Sequence, residues 1–261
     1  MANITRFIAL GDSLTEGLSD KYPDGSYRGW ADRVADVLAG HSSDFEYANF
    51  AIRGKLLEQV ADHQVPLALD LIEGQNTLVT FHAGANNVLR PGFEPESVFS
   101  TYRQAVAKIS EKKPTLLLFT VREVSNPKTK TQRYWNQRFG PFNENVKRVA
   151  AEFGATVMDA NSREVFGDPR MLAKDRLHLS TEGHRRVAAA VLSAIQMPHD
   201  ADWQDPMSPY KPAPAPIRVV GSVAWGVAFL VPWAIRRITR KSSGDGRAAK
   251  HSELITWSPR I

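Results

Sequence analysis

Residues 6–17 read RFIALGDSLTEG: five strand-like residues that stop on Gly11, Asp12 and Ser13. Glycine permits backbone angles closed to other residues, and Asp and Ser bond their own backbone, so a plain turn would account for the trio. A turn that exists to hold Ser13 out at the carboxyl end of a buried strand would account for it equally.

Outward from this stretch, short apolar runs recur at residues 46–52 (EYANFAI), 77–84 (TLVTFHAG), 115–121 (TLLLFTV) and 155–160 (ATVMDA). Between them, residues 30–40, 56–72, 96–112, 141–154 and 181–195 carry apolar side chains three and four apart, the period of an amphipathic helix. Parallel strands need crossover connections, usually helical, and strands covered on both faces read as nearly continuous apolar runs. The alternation therefore predicts an α/β fold with a parallel sheet and helices on both faces. In such sheets ligands bind beyond the carboxyl ends of the strands, which is where Ser13 lies.

The composition narrows the chemistry. The chain has 261 residues, is 43% hydrophobic and contains no cysteine, which excludes disulfides, thiolate metal sites and cysteine nucleophiles. The net charge of +5 is unevenly placed. Residues 217–261 hold eight Lys or Arg against two Asp or Glu, so residues 1–216 are close to neutral, and no nucleic-acid partner is expected of the body. The apolar stretch at the N-terminus is too short for a secretory signal, which predicts a cytoplasmic protein.

Residues 198–216 hold six prolines in nineteen positions and read as an extended linker. The expected organisation is a catalytic domain over 1–197, the Pro-rich linker over 198–216, and an apolar segment with a basic tail over 217–261. Residues 219–235 carry no charge but interrupt themselves with Gly221, Gly226 and Pro232, and they fall short of the usual span length. Packing on the body is expected of them, with contact between the basic run 236–250 and a membrane surface as the alternative.

Four polar clusters could do chemistry: Gly11-Asp12-Ser13, Gly54 in NFAIRGK, Asn86 in HAGANN, and Asp175 with His178 in DRLH. A serine hydroxyl needs a base to become a nucleophile, and a histidine base works best when a carboxylate holds it. Ser13, His178 and Asp175 fit these parts. Donors for a developing oxyanion are available in the N–H groups of Ser13 and Gly54 and the Asn86 amide. His82 and His184 are candidates by residue type alone. Neither has ligands at metal spacing, and no metal site is expected. The polar stretch 122–139 is long for a connection and could serve as a lid through Tyr134 and Trp135.

These blocks, in this order over about residues 5–196, resemble the four signature blocks of the SGNH hydrolases, also called GDSL esterases and lipases. The resemblance implies a three-layer, flavodoxin-like fold with a five-stranded parallel sheet in the order 2-1-3-4-5. It implies a serine hydrolase that cleaves carboxylic esters of small molecules through an acyl-enzyme, without a cofactor. Ser13 is then the nucleophile, His178 the base and Asp175 its orienting acid, with an oxyanion hole of Ser13, Gly54 and Asn86 and with Asp12 and Asn87 standing behind it. The tail is similar to those of a bacterial, intracellular branch. One block departs from the pattern: Asn87 stands where the family usually has Asp. The departure is expected to cost some activity, and it is the one argument for a non-catalytic binding module on the same fold.

Overall fold

The computed structural model describes residues 3–209, 214–232 and 242–260. Parts of the Pro-rich linker and of the apolar segment, and residues 236–241 of the basic run, lie outside the described residues.

The strands are β1 (Arg6–Gly11), β2 (Glu46–Asn49), β3 (Thr77–His82), β4 (Thr115–Phe119), β5 (Thr156–Met158) and β6 (His251–Thr256). The α-helices are α1 (Ser13–Glu16), α2 (Gly29–Ala39), α3 (Leu57–Gln59), α4 (Val65–Leu69), α5 (Ala85–Val88), α6 (Pro95–Glu111), α7 (Lys130–Phe153), α8 (Thr181–Ala194) and α9 (Ala215–Trp225). A π-wound segment, Val60–Gln64, joins α3 to α4, and a second, Gly226–Leu230, continues α9.

β1 is central because its alternate residues feed two cores. Phe7 and Ala9 pack with Trp30, Val34 and Leu38 of α2 and with Val187 and Val191 of α8. Ile8 and Leu10 pack on the opposite face with Leu57, Val65, Val106 of α6 and Phe142 of α7. The period of two along a strand sends neighbours to opposite faces, and each large side chain buried this way stabilises the fold by about 1.5–3 kcal/mol.

The sheet corrects the expectation of five parallel strands. Among the described residues it has six, in the order β5-β4-β3-β1-β2-β6, and β6 runs antiparallel to β2, so the sheet is mixed. The sixth strand comes from the basic tail and is held by side chains that reach into the body. Lys250 Nζ lies 2.8 Å from Asp32 Oδ1, the carboxylate buried and the lysine partly so. Trp257 Nε1 donates to Asp36 Oδ1 at 3.0 Å, and the Trp257 ring meets Tyr47 of β2 edge-on at 5.0 Å. Burial pushes the Asp32 carboxyl up and the Lys250 amine down, as befits a pair withdrawn from water.

The stretch 122–139 also differs from its reading as a loop. Thr129 and Gln132 form a capping box that starts α7 at Lys130, and the helix runs on through Pro141. Trp135 faces inward: its Nε1 donates to the Arg122 carbonyl at 2.9 Å and its ring lies 4.3 Å from that of Phe139. Tyr134 remains exposed.

Candidate active site

The turn after β1 is fixed from several sides. Gln64 clamps the Gly11 peptide, accepting its N–H and donating to its carbonyl, both at 2.9 Å. A Cβ on Gly11, whose φ is +153°, would fall 2.5 Å from the His82 carbonyl oxygen, so only glycine lets β1 and β3 end together there. Asp12 then caps α1, accepting the Leu14 N–H at 3.3 Å, and Ser13 becomes its first residue. Three residues on, the buried Glu16 carboxylate accepts the Arg53 N–H at 2.7 Å and pairs with the Arg53 guanidinium. This ties the Ser13 helix to the loop that carries Gly54.

Gly54 sits at φ +72°, and a Cβ there would lie 2.5 Å from Ser242 Oγ. Ser242 itself donates to the Gly54 carbonyl at 3.3 Å, so part of the tail rests on this loop. Among the described residues, neither the Ser13 N–H nor the Gly54 N–H donates a hydrogen bond. Two backbone donors are thus left open beside a half-exposed serine.

Asn86 lies in α5, which follows β3 through Gly84 at φ +103°. Its amide nitrogen donates to Asp12 Oδ2 at 2.9 Å and to the Lys55 carbonyl at 3.0 Å, joining all three loops. Asp12 is buried, and burial raises its pKa to about 6, against the opposing effects of the Leu14 N–H, the His178 charge and the Asn86 amide.

The fourth cluster is a tight loop closed by the Ala173 N–H on the His178 carbonyl at 2.8 Å. Asp175 accepts the N–H groups of Leu177 and His178, each at 3.0 Å, and His178 Nδ1 donates to Asp175 Oδ2 at 2.6 Å. Burial pushes the Asp175 carboxyl up, but these hydrogen bonds together outweigh it and hold the group below the ordinary carboxylate range. Nδ1 being occupied, Nε2 is the nitrogen left to exchange a proton. Ser13 Oγ and His178 share no hydrogen bond here, a separation common before substrate binds. After the loop, Ser180 caps α8 by accepting the Gly183 N–H at 3.1 Å.

The other two candidate histidines, His82 and His184, are built differently. His184 is buried, accepts the Trp30 N–H on Nδ1 at 3.0 Å and donates from Nε2 to the Leu18 carbonyl at 2.9 Å. Burial lowers its pKa to about 4, so it is a neutral strut between α2 and α8. His82 stacks on Phe119 at 4.7 Å and is lowered to about 4 by the same cause. Among the described residues no cluster of His and acidic side chains could hold a metal.

Sequence reasoning missed Glu58, Gln64 and Glu16. Glu58 matters most: Asn87 Nδ2 donates to both of its carboxylate oxygens, so a carboxylate stands beside the third block after all, supplied from α3. A groove of about 270 Å³ opens beside this pair, lined by Leu56, Glu58, Asn87, Arg90, Phe93 and Val98.

Residues 9–186 match the GDSL-like Lipase/Acylhydrolase family. The chain belongs to that family. No curated protein sequence matches it. Among solved structures, it is similar in fold to the acetylxylan esterase Axe2 of Geobacillus stearothermophilus, at 18% identity and a TM-score of 0.61 over 77% of this chain and all of that one. It is similar also to the psychrotrophic esterase EstA of a Pseudoalteromonas species, at 18% identity and 0.57 over 74% of this chain and 97% of that one. A member of the lipolytic G-D-S-L family from Veillonella parvula matches at 19% and 0.56, over 73% and 98%. At these identities the likeness is one of fold.

Proposed function

We propose that this GDSL family member is a serine esterase that hydrolyses carboxylic esters through an acyl-enzyme. The observation that carries the reading is the 2.6 Å Asp175–His178 pair, together with the backbone N–H groups of Ser13 and Gly54 that stand without partners. Ser13 Oγ attacks the ester carbonyl and His178 Nε2 takes its proton. The negative oxygen of the tetrahedral intermediate is stabilised by the N–H groups of Ser13 and Gly54. Asn86 joins them by turning toward that oxygen the hydrogen it otherwise gives Asp12. The C–O bond then breaks, and the departing alkoxide takes the proton from His178. Water, deprotonated by His178, attacks the acyl-serine and releases the acid and free Ser13. Asp175 stays ionised throughout, fixing the tautomer and favouring the imidazolium. The groove lined by Leu56, Glu58 and Asn87 is assigned to one arm of the ester.

The neighbouring folds named as esterases support the same chemistry. The binding-module reading rested on Asn87 alone, and the Glu58 partnership gives that residue another explanation.

The test is hydrolysis of p-nitrophenyl esters from acetate to laurate by the parent protein and Ser13→Ala, with mass spectrometry after a fluorophosphonate probe. Labelling of Ser13 and loss of turnover in the variant are expected. Folded parent protein that neither labels nor turns over any ester would sink the proposal.

A further inference from the structure

In the esterase reading one oxyanion donor is the Gly54 N–H, which belongs to the peptide joining Arg53 to Gly54. A peptide is planar, so whatever fixes the Arg53 carbonyl also fixes the direction of that N–H. The Arg53 carbonyl is backed by the tail. Gly244 is buried against it so closely that a Cβ there would fall 2.1 Å from the Arg53 carbonyl oxygen and 3.1 Å from Ile52 Cγ2. The following peptide is held by the same turn: Ser242 Oγ donates to the Gly54 carbonyl at 3.3 Å and accepts the Gly244 N–H at 3.2 Å. One hydroxyl thus joins the two tail residues that flank Gly54, while Glu16 holds the Arg53 N–H from the Ser13 helix.

Strand register brings the tail to this place. β2 and β6 pair antiparallel with Asn49 opposite His251, so the chain leaving β2 for Gly54 and the chain entering β6 from Ser242 run side by side beyond the end of the pairing. The turn is also held from within. The Ser242 N–H donates to Asp245 Oδ2 at 2.7 Å, the Asp245 N–H to the Ser242 carbonyl at 3.3 Å, and Arg247 Nε to the Ser243 carbonyl at 3.1 Å. Residues 242–245 lie outside the stretch 9–186 that matches the family, so this support is additional to the family's own blocks.

We propose that Ser242 and Gly244 are positioning residues for the oxyanion hole, holding the Arg53–Gly54 peptide with its N–H toward the developing negative oxygen. The inference rests on the esterase reading and adds a C-terminal turn to it. Neither residue is required to touch the ester. Their loss therefore acts where the charge appears, in the transition state, and leaves binding of the ground-state ester alone.

The experiment compares full-length parent, Ser242→Ala, Ser242→Thr and Gly244→Ala in steady-state hydrolysis of a p-nitrophenyl ester. It also measures Ki for a trifluoromethyl ketone, whose adduct with a serine carries a tetrahedral oxyanion. Ser242→Ala should lower kcat about tenfold with KM within about twofold, and Gly244→Ala should approach the roughly hundredfold loss of a whole donor. The ketone should weaken by the factor that kcat/KM falls. Ser242→Thr restores the hydroxyl and should recover most of kcat, and Ser242→Ala should keep the parent's thermal midpoint, its side chain being only half-buried. If Gly244→Ala does not fold, the two Ser242 variants decide. Parent-like kcat in Ser242→Ala, a change confined to KM, no recovery in Ser242→Thr, or a loss matched by a fall in thermal midpoint overturns the proposal. The esterase reading fails differently: folded parent protein that hydrolyses no ester removes both, whereas an active parent with unaffected variants removes only the role of the turn.

Discussion

Asn87 Nδ2 donates to both carboxylate oxygens of Glu58, each at 2.9 Å, while Asn87 Oδ1 accepts the Leu57 N–H at 2.8 Å. Only an amide can do both. A carboxylate at position 87 would keep the Leu57 contact and turn a negative oxygen toward Glu58.

This reverses the direction in which the departure from the family pattern should act. Asn87→Asp is expected to lower ester turnover about tenfold and stability by about 1–3 kcal/mol, the range for losing hydrogen bonds to a charged partner. Asn87→Asp with Glu58→Gln should recover most of both, because the amide and the acid have exchanged places. Steady-state kinetics and urea unfolding of the three proteins check this. A faster Asn87→Asp enzyme would show that the pairing has no part in activity.

Asp175→Asn should reduce kcat/KM by about a hundred- to ten-thousand-fold while the protein still folds, since the amide favours the wrong His178 tautomer. The folded-state pKa of Asp175 is depressed, so the stability this carboxylate contributes is present above its unfolded pKa and is lost as pH falls through the lower folded value. Between pH 5 and 8, therefore, the parent's pH–rate profile should show no ionisation of Asp175.

Asp12 has the opposite sign. Its folded pKa of about 6 lies above the unfolded value, so the folded state binds the extra proton and stability falls as pH rises from about 4 to about 6. An Asn at this position does not titrate. The stability of Asp12→Asn relative to the parent should improve by up to about 3 kcal/mol between pH 4 and 7, at about 1.4 kcal/mol for each pKa unit. Denaturant midpoints at the two pH values measure it, and a constant difference would refute the shift.

Lys250→Met should destabilise the fold by about 3–5 kcal/mol, since it leaves Asp32 buried without its cation. Asp32→Asn with Lys250→Met should be milder than Lys250→Met alone. If the single substitution is neutral in urea unfolding, the β6 anchor contributes nothing to stability.

The parts of the fold legible in the sequence were those written in local pattern. The five apolar runs fall on β1 to β5, although 46–52, 77–84, 115–121 and 155–160 were all read too long; the last residues of the first two leave the sheet toward Gly54 and Asn86. The periodic stretch 181–195 became α8 with Ser180 as its cap. β6 was hidden because His251-Ser252-Glu253 carries no apolar run. What makes it a strand is Lys250 and Trp257 finding Asp32 and Asp36, partners far away in the chain. The start of α7 was missed because 122–139 was read as a long polar connection, when the Thr129–Gln132 capping box had opened the helix already. In the site, Ser13, Gly54, Asn86, Asp175 and His178 stood out by residue type and order. Glu58 did not, being one of 28 acidic residues with nothing local to distinguish it.

The antiparallel strand at the sheet edge bears on how the chain is made. Trp257 reaches Asp36 across 221 positions, so a ribosome has translated the entire parallel sheet before the outer side of β2 finds its neighbour. Until then β2 presents unpaired backbone groups, and Tyr47 and Asp32 lack the ring and the cation that later cover them. A chain truncated before β6 therefore carries a ready template for edge-to-edge association, and premature termination should yield aggregates rather than a smaller working enzyme.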